Sequence, residues 1–239
     1  MIIARLIASL SITVFFACAA CATEFHRFTH EGRTLEYALE LPDRYDGSKA
    51  YPVLLALPPG DQSKEMVEAG LTSYWKAEGK KRGWVILSPA APEGENFYSG
   101  AQTLLPDLLD AVSKSVAIEG GKVHLAGMSN GGVSAYRLIS QYPDRFRSLT
   151  VLPGYPPDDQ AQSVLARLRK IPVTAFVGAE DAAWKRRSSL AKRTMDRLGV
   201  TNALVIVPGS GHVIALAPAQ LFDLLDSRRP QKKAEQASH

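Results

Sequence analysis

The sequence predicts a chain of the α/β class: a mostly parallel central sheet with helices on both faces. Three observations carry this. Near-continuous apolar runs of strand length recur at Tyr51–Leu57, Trp84–Ser88, Val123–Ala126 and Ile171–Val177, and a strand reads this way when both of its faces are buried. Segments of helical periodicity lie between these runs, which makes the crossovers helical and the strands parallel. The alternation persists from Arg33 to Asp226 with no internal repeat, and no gap is long enough for a large lid domain. One domain, 23–226, is expected.

In chain order, Arg33–Leu41 alternates polar and apolar residues, as an edge-type strand does. The Tyr51–Leu57 strand stops at Pro58-Pro59-Gly60. A helix is expected over Met66–Lys81 with Gly83 as its stop, followed by the Trp84–Ser88 strand. Ala90–Gly100 reads as a loop and Ala101–Val116 as a helix whose start Pro106 obscures. Val123–Ala126 and the helix after it end at Tyr142-Pro143. Ser148–Leu152 is the next strand, Asp159–Leu168 an amphipathic helix and Ile171–Val177 a strand. Trp184–Leu198 is a helix closed by Gly199, Leu204–Val207 a strand and Leu216–Asp226 the last helix. Polar, charged 227–239 reads as a disordered tail.

The ends of the chain explain its bulk charge. Arg5 supplies one unit of the net +4, and Arg228, Arg229, Lys232 and Lys233 against Glu235 supply the other three. The folded body is therefore neutral as a whole, which gives no support for a nucleic-acid partner. Residues 1–22 carry one early cation, an apolar core over Leu6–Phe16 and the small-residue run Ala20-Cys21-Ala22. This is the pattern of a signal peptide cleaved before Thr23, too short in its apolar part to span a membrane, and it implies a secreted or periplasmic protein. A lipoprotein tethered at Cys18 or Cys21 is the competing reading, although neither has a leucine three residues before it. Both cysteines fall in the leader. A mature chain without cysteine has no disulfide framework, no Cys-ligated zinc and no cysteine nucleophile.

The chemistry centres on Gly127-Met128-Ser129-Asn130-Gly131. A serine between a strand and a helix, with glycine two residues to either side, is the nucleophile-elbow pattern. The competing reading is a glycine-rich turn with an incidental serine, so a base and an acid must decide. Of the five histidines, His26 and His30 precede the expected sheet, His124 lies within a strand and His239 ends the chain. His212 remains, in a glycine-flanked loop after the last strand, where a parallel sheet places its chemistry. Glu180 and Asp181 follow the Ile171–Val177 strand, between the serine and the histidine. The order serine, carboxylate, histidine suits this architecture. His26 and His30 lack the carboxylate neighbours a metal site would want, and no cofactor fingerprint appears.

Gly127–Gly132 followed by Tyr142-Pro143-Asp144-Arg145-Phe146, with Glu180-Asp181 near Trp184 and with Gly211-His212, resembles the α/β-hydrolases. Within them it is similar to secreted esterases related to polyhydroxybutyrate depolymerases and feruloyl esterases. The resemblance implies the α/β-hydrolase fold and a cofactor-independent serine esterase acting on a small-molecule or polymeric ester. Ser129 would be the nucleophile, His212 the base and Asp181, rather than the longer Glu180, the orienting acid. The oxyanion would lie against the Asn130 N–H and a second N–H from Gly60, Asp61 or Gln62. Asp61 is preferred; relatives commonly carry His-Gly where this chain has Pro59-Gly60. Phe97, Tyr98, Tyr155 and Trp184 would line an acyl or aromatic pocket, with ordinary packing as the alternative. A peptidase of the same fold and a non-catalytic binding relative are the rival functions. Oligomeric state is not legible.

Overall fold

The computed structural model describes residues 23–157 and 161–231. Its centre is an eight-stranded sheet. The strands are β1 (Phe25–His30), β2 (Arg33–Glu40), β3 (Val53–Leu57), β4 (Val85–Pro89), β5 (Val123–Gly127), β6 (Phe146–Val151), β7 (Val173–Gly178) and β8 (Asn202–Val207). Their order is β1-β2-β4-β3-β5-β6-β7-β8. The β1/β2 and β2/β4 pairs are antiparallel and all others parallel.

The period of two sorts β3 between two apolar layers. Val53, Leu55 and Leu57 enter the layer under α3 (Leu105–Ser113), α4 (Asn130–Gln141), α5 (Ala161–Ala166) and α6 (Ala182–Leu198). Leu54 and Ala56 face the layer under α1 (Lys64–Gly70), α2 (Lys76–Arg82) and α7 (Pro218–Ser227). Burial of apolar strands on both faces is what requires helices on both sides.

Three expectations are corrected. His26 and His30 do not precede the sheet; they lie in β1, an edge strand folded back on β2 through Glu31 (φ 49°) and Gly32 (φ 75°). Two consecutive left-handed residues make the tight turn whose twist matches a hairpin. The helix expected over Met66–Lys81 runs from Lys64 to Arg82 but contains a wide π-turn at Leu71–Trp75. Its stop is as expected: Gly83 takes the left-handed C-cap, φ 81°. The expected tail is partly anchored. The Arg229 guanidinium donates to both Glu119 oxygens at 2.9 Å and lies over the Trp84 ring, while Arg228 reaches Thr174. Residues 232–239, like the leader 1–22, lie outside the described residues.

His124 is spent on structure. It is 1% exposed within β5 and shares a hydrogen bond of 2.8 Å with Ser148 Oγ. Burial, helped by the positive charges of Arg147, Arg229 and Arg228, pushes its pKa down to about 3. The unfolded chain binds this proton near pH 6.5 and the native state does not, so stability is full above pH 6.5 and is lost on acidification toward pH 3. The slope is about 1.4 kcal/mol per pH unit. His124→Gln removes the titration, so urea unfolding at pH 6 and pH 4 is expected to show the wild type losing about 2 kcal/mol more than the variant. Equal losses would count against it.

Candidate active site

The elbow is built by close approach of backbones. β5 ends at Gly127, α4 begins at Asn130, and Ser129 between them sits at φ 52°, ψ −117°. That strained conformation lifts the hydroxyl clear of the sheet. A Cβ on Gly127 would lie 2.2 Å from the Gly131 carbonyl oxygen, and one on Gly131 would lie 2.2 Å from that of Leu57. Neither position tolerates a side chain. The strained turn is braced from both neighbouring strands: Met128 N–H donates to Leu57 O (3.2 Å) and Ser129 N–H to Pro153 O (3.0 Å).

His212 comes from the loop after β8 and Asp181 from the loop after β7, both at the C-terminal ends of parallel strands. The structure brings the three side chains together: His212 Nε2 is 2.8 Å from Ser129 Oγ, and Nδ1 is 2.7 Å from Asp181 Oδ2. With Nδ1–H donating to the carboxylate, Nε2 is left as acceptor for the serine proton. Asp181 also caps α6, its other oxygen accepting from Trp184 N–H at 3.3 Å. Its side chain is 11% exposed and that of His212 45%, so the acid is sheltered and the base faces solvent. Adjacent Glu180 is exposed and uses its backbone N–H on Ser210 O.

The histidine loop is held from beneath. Buried Ser210 accepts the Ala215 N–H. The Tyr74 hydroxyl, carried on the π-turn, donates to Ile214 O at 2.7 Å. The loop crosses the end of β7 so closely that a Cβ on Gly178 would be 2.0 Å from Gly211 O.

The loop after β3 meets the start of α4. Asn130 Nδ2 donates to Gly60 O at 2.8 Å. Gln62 N–H closes a turn on Pro59 O (3.0 Å), which removes it from the candidate oxyanion donors and leaves Gly60 and Asp61. The Asp61 carboxylate accepts from Ser63 N–H at 3.1 Å, and this bond holds it below the usual carboxylate range. Nothing along the chain marks the role of the Gln62 side chain. It is fully buried and donates to Pro58 O (3.2 Å) and Ser134 Oγ (3.1 Å), while its Oε1 accepts from Phe97 N–H (2.7 Å). Ser134 in turn donates to Asn130 O (2.8 Å). A closed ring of hydrogen bonds thus ties the 58–62 loop to the first turn of α4. Gln62→Ala leaves the Phe97 amide buried without an acceptor, and an expected stability loss of about 2–3 kcal/mol follows. Thermal melting checks it.

Of the four aromatic residues expected around a pocket, two flank the site. The Trp184 ring lies 4.9 Å from that of His212, and Tyr155 lies 4.7 Å from Trp184. Phe97 does not: it is 0% exposed and packs in the core beneath α3 and α4, because the Gln62 bond draws its backbone inward. Half-buried Tyr98 offers its carbonyl to Arg137 Nη1. A cavity of about 680 Å³ is lined by Tyr51, Pro52, Arg82 and Gly83, before β3 and β4. That is the opposite edge of the parallel sheet from Ser129.

Comparison with known proteins agrees with this architecture. The Esterase family ("Putative esterase") matches residues 30–208. A curated protein of Aspergillus terreus named "Probable feruloyl esterase C" is 30% identical over 126 residues, 50% of this chain and 46% of the relative. The chain thus matches about half the length of its curated relatives. Among solved structures, the feruloyl esterase module of Clostridium thermocellum superposes with a TM-score of 0.68 at 13% identity, over 90% of both chains. An S-formylglutathione hydrolase of Agrobacterium tumefaciens gives 0.67 at 15%, over 86% of this chain and 95% of that one. At such identities the structures speak for the fold, and the matched sequence family speaks for kinship: the chain has the α/β-hydrolase fold and belongs to the Esterase family.

Proposed function

We propose that the protein is a serine carboxylic-ester hydrolase working through an acyl-enzyme. The observation that carries this is the relay of 2.8 and 2.7 Å from Ser129 through His212 to Asp181, on a serine at positive φ. Ser129 Oγ attacks the ester carbonyl carbon while His212 Nε2 takes its proton, and the imidazolium is stabilised by Asp181. The tetrahedral oxyanion lies against the Asn130 N–H and that of Gly60 or Asp61. As the intermediate collapses, His212 protonates the leaving alkoxide. Water, with His212 again as base, then attacks the acyl-enzyme and releases the acid. Two preorganised donors matter because losing one costs about 3–4 kcal/mol of transition-state stabilisation.

The names of the relatives and the Trp184–Tyr155 wall beside His212 both favour an aromatic acyl group. We assign residues 1–22 to a cleaved signal peptide and the protein to the exterior or periplasm. Among the described residues no helix is long and apolar enough to cross a membrane. A fluorophosphonate probe is expected to label the folded wild type once, at Ser129, and to leave Ser129→Ala unlabelled. A folded wild-type protein that resists the probe would favour a non-catalytic binding role.

A further inference from the structure

Neutrality of the folded body conceals a segregation of charge. Between Arg167 and Arg197 nine cationic side chains stand against three carboxylates, Glu180, Asp181 and Asp196. Asp181 is engaged by His212 and Asp196 by Lys192. The surplus is concentrated on α6. Its buried side is Ser188, Ala191 and Met195, so the opposite side is set by the helical period: Arg186, Leu190, Arg193 and Arg197, all exposed. Among the described residues Arg186, Arg193 and Arg197 form no ion pair, and Arg197 donates to the hydroxyl of Thr194. From Arg186 to Arg197 this stripe runs for about 16 Å. Arg169, bonded to Leu198 O, extends it past the far end of the helix.

The position of the stripe matters as much as its sign. α6 starts at Asp181, beside His212, and Arg186 follows five residues later, about 7.5 Å along the axis and on the flank of the helix away from Trp184, so the row of guanidinium groups begins between one and two turns from the site. We infer that this face binds an acidic polysaccharide whose chain lies along α6 and presents an ester to Ser129. The inference rests on the ester-hydrolase reading and extends it to the class of substrate. Three polyanions fit the charge. A nucleic acid offers the serine no carboxylic ester within its repeating chain. An anionic membrane calls for inserted apolar side chains, and Leu190 is the one large apolar residue exposed on this helix. A polysaccharide with fixed carboxylates and ester substituents supplies both the charge and the reacting bond. Guanidinium groups suit it because they hold carboxylates in bidentate fashion. Attraction of this kind acts over about 10 Å at 0.1 M salt and raises encounter rates rather than altering chemistry.

The test compares wild type with the triple variant R186Q/R193Q/R197Q, both folded by circular dichroism, on acetylated polygalacturonate, neutral acetylated glucomannan and triacetin. Retention on immobilised polygalacturonate and on vesicles of equal phosphatidylglycerol and phosphatidylcholine is measured in parallel. Expected is a tenfold or greater fall in kcat/KM on the acidic polymer, either in the variant or on raising NaCl from 25 to 250 mM. Triacetin and glucomannan rates stay within twofold, and polygalacturonate retention is lost in the variant. Unchanged kcat/KM on the acidic polymer in the variant and at both salts overturns the inference. So does capture by the vesicles without capture by polygalacturonate. Triacetin turnover with no affinity for the polyanion sinks the surface alone. Arginine-dependent retention with no ester hydrolysed, methyl ferulate included as the aromatic acyl ester, keeps the surface and removes the esterase reading.

Discussion

Replacing Ser129 by alanine is expected to lower turnover of p-nitrophenyl acetate by about 10⁵–10⁶-fold, with the melting temperature close to that of the wild type. The loss is large because the three side chains act as one unit. Without the hydroxyl there is no acyl-enzyme, and His212 and Asp181 have nothing to activate. A residual rate above that in water persists, since oxyanion donors and substrate binding remain. The fold is expected to survive because the elbow is held by backbone bonds, Met128 to Leu57 and Ser129 to Pro153, and by glycine contacts, none of which uses the hydroxyl. Steady-state kinetics and a thermal melt decide it. Turnover within tenfold of the wild type would remove Ser129 from the chemistry.

Asp181→Asn is expected to cost about 10⁴-fold in kcat, about 5.5 kcal/mol, with a small change in KM. The asparagine keeps an oxygen to accept the Trp184 N–H, so the cap of α6 persists and stability changes little. The carboxylate that accepts from His212 Nδ1 is what disappears. An amide turned toward the ring favours the tautomer with its proton on Nε2, where it cannot accept from Ser129, and it leaves the imidazolium without a counter-charge. Asp181→Ala removes the cap as well and is expected to lose about 1 kcal/mol of stability in addition. Glu180→Gln, an exposed neighbour outside the relay, serves as control and is expected to leave kcat within twofold. A comparable loss at Glu180 would reassign the acid.

The parts of the site that were legible along the chain are those encoded within a few residues. Gly127-Met128-Ser129-Asn130-Gly131 announces its own turn, because no other residue type fits the contacts at 127 and 131. Asp181 follows β7, whose apolar run marks it as buried, and His212 follows the short apolar run of the edge strand β8; a parallel sheet turns the C-terminal ends of both toward one side. The sequence leaves Phe97 between a pocket wall and ordinary packing because aromaticity on a loop says nothing of which way the loop faces; Gln62, thirty-five residues earlier, holds its amide on the buried side. Strand β1 was missed because its residues carry little apolar alternation and pair only through the Glu31-Gly32 turn.

What the amino-acid sequence determined by itself is the class of fold, most of the strand-and-helix order and a short set of candidates, Ser129 as nucleophile, His212 as base and Glu180 or Asp181 as acid. Periodicity, glycine positions and loop placement are local properties, and local sterics and burial act on them directly. Only the tertiary structure decided that Gln62, Ser134 and Asn130 close a ring around the site, that Tyr74 anchors the histidine loop, and that a neutral body carries a cationic face along α6. Those features depend on which distant groups meet. A buried polar atom must find a partner, but chain spacing does not say which one, and net charge does not say where each charge lies.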